Sequence, residues 1–212
     1  VIFRNGRYHM WYTGETDSSS AIGYATSPDG KQFTKVSETP VLVASAPWEM
    51  KAVQCPHVNW DDQEQVYKMW YSGGEQYEPD AIGYATSKDG ITWTKDNRNP
   101  VFQPDPNAAW EKAKVTACQV IKRKEDYLML YIGFKNVDYA QIGMARSKDG
   151  IKGWERYSDN PIIKPGTGWD SSAVYKPYAI QTASGWYLYY NGRRNNMEQI
   201  GIAIHANASL GF

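Results

Sequence analysis

Charged and aromatic side chains collect in four short segments of this 212-residue sequence, each directly after a run of aromatic residues. In chain order the segments contain Glu15 and Asp17; Glu75, Tyr77, Glu78 and Asp80; Lys135 and Asp138; and Arg193, Arg194 and Glu198. Carboxylates could exchange protons with a bound molecule, tyrosine rings could stack on a flat apolar surface, and arginines could hold an anion. These residue types suit a polar ligand that forms many hydrogen bonds.

A second set of candidates appears when the sequence is aligned on its Trp-acidic pairs, which are Trp48-Glu49, Trp110-Glu111 and Trp169-Asp170. The aligned positions that follow hold Gln54, Thr116 and Tyr175, then Cys55, Ala117 and Lys176, and later His57, Gln119 and Tyr178. Residues with a purely structural role would repeat, whereas these residues differ from unit to unit. The divergence favours a binding site, the alternative being inner strands that differ in order to pack a central channel.

The sequence therefore predicts a substrate-binding group drawn from both sets. Its members are Gln54, His57, Thr116, Gln119, Tyr175, Lys176, Arg193 and Arg194. Lys176, Arg193 and Arg194, with Lys135 in addition, make one side of the group basic, so that it could hold an anion. The spacing of the two cysteines fits no zinc motif. We predict no metal ion and no cofactor.

A third motif, Ser-x-Asp-Gly, occurs with its aspartate at Asp29, Asp89 and Asp149. A carboxylate in such a turn can accept hydrogen bonds from the backbone amides that follow it. The motif also lies at the opposite end of the predicted strands from the candidate site. We therefore predict a structural role for all three aspartates.

The elements that must position these residues are visible as an internal repeat. The aromatic box Tyr8–Gly14 recurs at Tyr67–Gly73, Tyr127–Gly133 and Trp186–Gly192, and its aligned tyrosines lie 59, 60 and 59 residues apart. A box of the Ile-Gly-Tyr-Ala type follows each of them. Each unit alternates like four short antiparallel strands, A to D. Strand B is the aromatic box, strand C the Ile-Gly-Tyr-Ala box and strand D the Trp-Thr-Lys segment, and strand A is predicted at Val53–Trp60, Val115–Arg123 and Val174–Gln181. Four-stranded sheets at such a period are typical of β-propeller blades.

We predict an all-β fold, a β-propeller of four-stranded antiparallel blades, as a single domain over residues 1–212. The repeat units are placed at about 1–47, 48–109, 110–168 and 169–212. The first unit starts within a strand A and the fourth lacks strand D, so that about three and a half to four blades are present. We expect a chain truncated at both ends; the alternative is that the two ends pair to complete a blade.

Composition excludes several classes of protein. The sequence has 16 Tyr and 9 Trp but only five Leu, which argues against a helical bundle. With 23 basic and 23 acidic residues it is neutral, which argues against a nucleic-acid partner. Its longest apolar stretches are far shorter than the roughly 20 residues of a membrane span. We expect no signal peptide and no membrane partner. The cellular location stays open between secreted, periplasmic and cytoplasmic, and so does the oligomeric state.

The repeated boxes resemble those of five-bladed propeller glycosidases, which include glycoside hydrolase families 32, 43, 68 and 130. The resemblance rests on Met-Trp-Tyr-x-Gly, Ile-Gly-Tyr-Ala-x-Ser-x-Asp-Gly-x-x-Trp and Asn-Pro-Val, and it covers nearly the whole chain. It implies a five-bladed plan and an oligo- or polysaccharide substrate held at the propeller axis. It also implies cleavage of glycosidic bonds by two carboxylates, one acting as acid and one as base or nucleophile.

The sequence departs from the family pattern at the position of the general acid. Gln54-Cys55-Pro56 resembles the Glu-Cys-Pro motif of family 32, but a glutamine cannot donate a proton as a carboxyl group does. The catalytic candidates are therefore Glu75, Glu15 and Asp80 of the loop segments, acting with carboxylates of an unseen blade.

Three further hypotheses remain open at this point. One is an enzyme similar to the mannoside phosphorylases of family 130, with a basic cluster for phosphate. Another is a propeller that binds sugar without cleaving it. The last is a scaffold unrelated to carbohydrate.

Overall fold

The computed structural model describes residues 1–77 and 79–210. Glu78, one of the predicted loop charges, lies outside the described residues. Within them the chain is almost entirely β-strand and turn, apart from a 3-10 helix at Pro47–Glu49. None of the helical structure found there is long and apolar enough to span a membrane. Two compact units are present, Val1–Phe102 and Gln103–Phe212, and each contains two of the repeats.

The first unit contains two blades. Its strands are β1 (Ile2–Arg4), β2 (Arg7–Glu15), β3 (Ser20–Ser27), β4 (Thr34–Lys35), β5 (Ala52–Asp61), β6 (Val66–Gly74), β7 (Pro79–Ser87) and β8 (Thr94–Lys95). Strands β1–β4 and β5–β8 each form an antiparallel sheet, and a single parallel pair, Ser20 with Ala52, joins the two sheets. Each sheet is one predicted repeat.

The second unit contains one four-stranded and one three-stranded sheet. Its strands are β9 (Lys114–Lys122), β10 (Tyr127–Asn136), β11 (Tyr139–Ser147), β12 (Glu155–Arg156), β13 (Ala173–Thr182), β14 (Gly185–Arg194) and β15 (Met197–His205). Both sheets are antiparallel, β9–β12 and β13–β15. The predicted A strands at Val53–Trp60, Val115–Arg123 and Val174–Gln181 agree with β5, β9 and β13 to within one residue at each end.

The first unit is held together by aromatic packing between its two blades. Trp11 of β2 lies against Tyr24 and Tyr67, with ring centroids 5.0 and 5.3 Å apart. Its indole N–H donates to the carbonyl oxygen of Gly90 in the β7–β8 turn at 2.8 Å. Burial of such rings is the largest hydrophobic contribution that single residues can make. The excess of tyrosine and tryptophan in the sequence therefore stabilises the contact between blades.

In the second unit, aliphatic side chains take over much of this packing. Leu128, Leu130, Met144 and Leu188 form a buried cluster with Trp186. Four of the five leucines of the sequence fall in this unit, three of them in this cluster.

The Ser-x-Asp-Gly turns are structural, as predicted. In the second repeat, Asp89 Oδ1 accepts hydrogen bonds from the amides of Ile91 and Thr92 at 2.8 and 2.7 Å, and Ser87 Oγ accepts one from the amide of Gly90 at 2.8 Å. Gly90 has φ +78°, a conformation that favours glycine. Asp29 and Asp149 make the corresponding bonds. The Oδ1 atom of each aspartate is thus engaged by its own turn.

Candidate functional site

A β-bulge interrupts the start of strand A in three of the repeats. The registers shift between Gln54 and His57 in β5, opposite Leu130 and Ile132 in β9, and between Tyr175 and Tyr178 in β13. The central residues of the bulges are Cys55, Ala117 and Lys176, with φ +52°, +39° and +53°. Such values are unfavourable for residues other than glycine and tend to mark functional positions. The bulges coincide with the aligned positions at which the sequence diverges.

In the first unit the bulge is connected to two loops. The side-chain amide of Gln54 donates to the carbonyl oxygen of Gln76, in the β6–β7 loop. Gln76 in turn donates through Nε2 to the carbonyl oxygens of Thr16 and Ser19, at 2.7 and 3.3 Å. The structure therefore brings Gln54 together with the loops that carry Glu15 and Glu75.

The three predicted catalytic acids of this unit have different surroundings. Asp80 is half-buried, and its Oδ2 accepts a hydrogen bond from the amide of Glu75 at 3.1 Å. Glu75 itself is exposed at the end of the loop. Glu15 is exposed as well and lines a cleft of about 740 Å³ beside β2 and β3. Of the three, Glu75 is the exposed carboxylate on the loop that Gln54 contacts.

The bulge also fixes two neighbours of Gln54. The amide of Cys55 donates to Thr13 Oγ1 of β2 at 2.9 Å, which ties the strained residue to the first blade. His57 is half-buried, with its ring 6.4 Å from that of the fully buried Trp70. His57 therefore packs on an aromatic ring at the base of this region.

In the second unit, three predicted residues come together around one tyrosine ring. Lys176 Nζ lies 5.7 Å from the centroid of Tyr175, and Arg193 Cζ lies 6.0 Å from it. Arg193 also donates through Nη2 to the carbonyl oxygen of Asp138 at 3.1 Å. The guanidinium is thereby held in place by the β10–β11 loop. Both cations lie within cation–π distance of the Tyr175 ring.

A carboxylate, Glu198, belongs to the same cluster. It accepts a hydrogen bond from Asn191 Nδ2 at 3.3 Å. The proximity of the Tyr175 side chain, with help from Asn191 and from the charges of Lys176 and Arg193, lowers the pKa of Glu198. Glu198 is therefore ionised at neutral pH, and the cluster of two cations and one anion keeps a net positive charge.

The remaining predicted binding residues of this unit lie in other settings. Thr116 is buried, and its Oγ1 has no hydrogen-bond partner among the described residues. Gln119 is also buried, and both ends of its amide bind the backbone of Ala179, at 3.0 and 2.6 Å. That contact joins β9 to β13 and leaves the amide occupied. Arg194 is exposed at the end of β14.

Among residues 1–77 and 79–210 no group of three or more His, Cys, Asp or Glu side chains could hold a metal ion. Both cysteines are half-buried, and they are not joined in a disulfide.

Residues 1–115, more than half of the chain, match the model of the family described as glycosyl hydrolases family 32, N-terminal domain. The chain belongs to this family. The fold that the sequence predicted, an all-β propeller of four-stranded blades in the glycosidase superfamily, is confirmed.

This family 32 domain is similar along its whole length to a β-1,2-mannobiose phosphorylase of Thermoanaerobacter sp. (strain X514). The two are 26% identical, and the alignment covers 100% of the chain and 90% of the phosphorylase. Among solved structures, one described as a glycoside hydrolase is 20% identical with a TM-score of 0.79, and the alignment covers 99% of the chain and 66% of that structure.

A β-1,2-mannobiose phosphorylase from Listeria innocua, solved in complex with β-1,2-mannobiose, is 21% identical with a TM-score of 0.67. The alignment covers 87% of the chain and 49% of that protein. The family 32 domain thus spans two thirds or less of these two solved structures, which share its fold.

Sequence reasoning missed several polar residues of the family 32 domain that contact the predicted ones. Gln76 and Thr13 bind Gln54 and Cys55 in the first unit, and Asn191 binds Glu198 in the second. Gln76 lies in a loop that the sequence had already marked as polar, so that the loop itself was a usable signal. Thr13 lies within a repeated aromatic box and carried no such signal.

Proposed function

We propose that the protein is a carbohydrate-active enzyme that cleaves mannosidic bonds by transferring the sugar to phosphate. The observation that carries the proposal is the cluster in the second unit, where Lys176 and Arg193 both lie within 6.0 Å of the Tyr175 ring. Phosphate suits such a site because arginine and lysine bind its oxygens through charge-assisted hydrogen bonds. The similarity to a β-1,2-mannobiose phosphorylase supports the choice of sugar.

The backbone explains how this cluster is held ready for a ligand. The bulge at Lys176 gives the residue a positive φ and leaves its side chain exposed, while Tyr175 remains half-buried beneath it. Arg193 is fixed by the carbonyl oxygen of Asp138. Preorganised cations lose little side-chain entropy when an anion binds. The negative charge of Glu198, on which both cations act, offsets part of the repulsion between them.

Within the first unit, the predicted acids are separate candidates for a general acid. Glu75 is our candidate because it is exposed and its loop contacts Gln54 through Gln76. Asp80, whose carboxylate binds the Glu75 amide, is assigned a positioning role for the loop.

The test is product analysis with β-1,2-mannobiose at increasing phosphate concentration. We expect a mannose phosphate as product, at a rate that rises with phosphate and then saturates. Lys176→Met and Arg193→Met should each raise the KM for phosphate at least about tenfold, the loss of one charge-assisted contact. Lys124→Met is the matched control, since its side chain is 94% exposed in the β9–β10 turn. It should leave this KM unchanged.

Hydrolysis is the second candidate, favoured by the family 32 match over residues 1–115. It predicts release of free mannose or another free sugar at a rate independent of phosphate. If the protein binds manno-oligosaccharides but releases no product, both enzymatic functions are contradicted. The remaining hypothesis is then a propeller that binds sugar without cleaving it.

A further inference from the structure

Three repeats place a tryptophan and the acid that follows it on the same surface of a blade. The pairs are Trp48-Glu49, Trp110-Glu111 and Trp169-Asp170. In each case the indole lies over two glycines of strands B and C and beside the tyrosine of the aromatic box. The ring centroids of tryptophan and tyrosine are 5.9, 5.7 and 5.8 Å apart.

The glycines are required by this contact. In the second repeat, a Cβ added at Gly73 would lie 2.5 Å from the Trp48 ring, and one at Gly83 would lie 2.8 Å from it. The glycines of the third and fourth repeats meet Trp110 and Trp169 at 2.3–2.6 Å in the same way. The two glycines thus form the floor of a socket for one indole.

The acid is held by a matched pair of groups. Glu49 Oε1 accepts a hydrogen bond from the Tyr71 hydroxyl at 2.7 Å, and its Oε2 forms an ion pair with Lys95 Nζ at 2.6 Å. The equivalent Glu111 forms an ion pair with Arg156. In the fourth repeat Asp170 accepts from the Tyr190 hydroxyl at 3.3 Å.

The first repeat has the same socket without a tryptophan in it. Its tyrosine is Tyr12, its glycines are Gly14 and Gly23, and its strand D lysine is Lys35. All four line the cleft of about 740 Å³ described above. A Cβ at Gly14 would meet nothing closer than a carbonyl oxygen at 4.0 Å. In the described part of the chain, Lys35 forms no ion pair and the Tyr12 hydroxyl no hydrogen bond.

We propose that this cleft is a binding site for a peptide segment in which tryptophan is followed by glutamate or aspartate. The indole packs on Gly14 and Gly23 against Tyr12, and the carboxylate binds Lys35 and the Tyr12 hydroxyl. The occupant is inferred from the three sockets in which the chain itself supplies such a segment. The proposal is independent of the proposed enzymatic function.

The test uses a fluorescein-labelled peptide with the sequence of residues 44–51, Ala-Ser-Ala-Pro-Trp-Glu-Met-Lys, and measures fluorescence anisotropy on titration with the protein. We expect saturable binding that weakens at least about 30-fold when the peptide carries Trp48→Ala, as for other buried tryptophan anchors. Glu49→Gln in the peptide and Lys35→Met in the protein should each weaken binding about fivefold. The two changes together should weaken binding no more than either change alone, because both remove the same ion pair.

Gly14→Ala is the decisive variant of the protein. Its added methyl group meets open space in the free protein, so that the melting temperature should not change, but it occupies the position of the indole and should abolish binding. Lys31→Met, on the exposed turn of the same blade, is the control for Lys35→Met and should bind like the parent.

Three results would overturn the proposal. The first is the absence of saturable binding at peptide concentrations up to about 1 mM. The second is equal binding by the Gly14→Ala variant. The third is a dimer in sedimentation experiments that Gly14→Ala dissociates, since the cleft would then be occupied by a second copy of the chain.

Discussion

The two ends of a blade differ in what is repeated from one unit to the next. At one end the residues are repeated, and at the other the backbone conformation. At the Ser-x-Asp-Gly turns the residues are the same in three repeats, and their polar atoms bind the backbone of the turn. At the bulged starts of strand A the backbone conformation repeats, whereas the side chains are Cys55, Ala117 and Lys176. A repeated residue thus stabilises the fold. A repeated backbone conformation with changing residues offers positions at which chemistry can vary without altering the fold.

The largest effect on stability is expected from substitution of Glu49 and Glu111, the buried acids of the tryptophan sockets. Burial opposes ionisation of Glu49, but hydrogen bonds from Lys95, two backbone amides and Tyr71 lower its pKa overall. Burial raises the pKa of the equivalent Glu111 despite Arg156. Glu49→Gln should therefore reduce the free energy of unfolding by about 3 kcal/mol, the usual result of breaking a buried ion pair, and by more than Glu111→Gln does.

Urea denaturation with both variants checks this order. Turnover per folded molecule should stay at the parental value in each. A variant that folds normally and loses turnover would show that these acids take part in catalysis and do not serve the fold alone.

The two ends of a blade should also differ in the assay for sugar release, where Glu75 of the loop is compared with Asp89 of the Ser-x-Asp-Gly turn. Glu75→Gln should lower turnover by about 100-fold or more, the usual contribution of a general acid, with little change in stability. Asp89→Asn should leave turnover per folded molecule unchanged, because the hydrogen bonds of its carboxylate come from its own turn. The reverse result would assign the chemistry to the turns.

The acid limb of the stability curve sharpens the role of Asp89. The backbone hydrogen bond from Thr92, with help from Ile91, lowers the pKa of Asp89 from 3.8 to about 2. Because the folded pKa lies below the unfolded one, the ionised carboxylate stabilises the fold above pH 3.8, and this contribution is lost as the pH falls towards 2.

Asp89→Asn should therefore cost about 1 kcal/mol at neutral pH, the net value of such hydrogen bonds, and the difference from the parent should shrink between pH 4 and pH 2. Thermal unfolding across this range measures it. Asp17→Asn, in an exposed loop, serves as the control and should leave stability unchanged. A difference that is constant with pH would contradict the assignment.

The smallest effect is expected from relief of strain at a bulge. Ala117 has φ +39°, which costs a non-glycine residue about 1 kcal/mol, so that Ala117→Gly should stabilise the protein by up to that amount. Ala173→Gly is the matched change at a buried alanine of strand β13 with ordinary φ, and it should destabilise the protein by a similar amount. Equal destabilisation by both would show that the bulge is not strained.

The sequence predicted the strands because alternation and turn residues are local signals, which β5, β9 and β13 follow closely. The roles of the Asp turns were predictable for the same reason. The bulges were not, because Cys55, Ala117 and Lys176 have no residue preference in common. Nor were the ion pair of Glu49 with Lys95, 46 residues apart, and the contact of Glu198 with Tyr175. These contacts depend on how strands are brought together, which no local pattern encodes.

The hydrogen bond from the Trp11 indole to Gly90 affects how the first unit folds and unfolds. It joins groups 79 residues apart and links the aromatic box of one blade to the turn of the next. Closing so long a loop is entropically costly, and contacts of this sequence separation slow folding. Since neither blade can keep this bond without the other, the two should melt as one cooperative block. A stretch of chain that looks modular as a repeat is then indivisible as a folding unit.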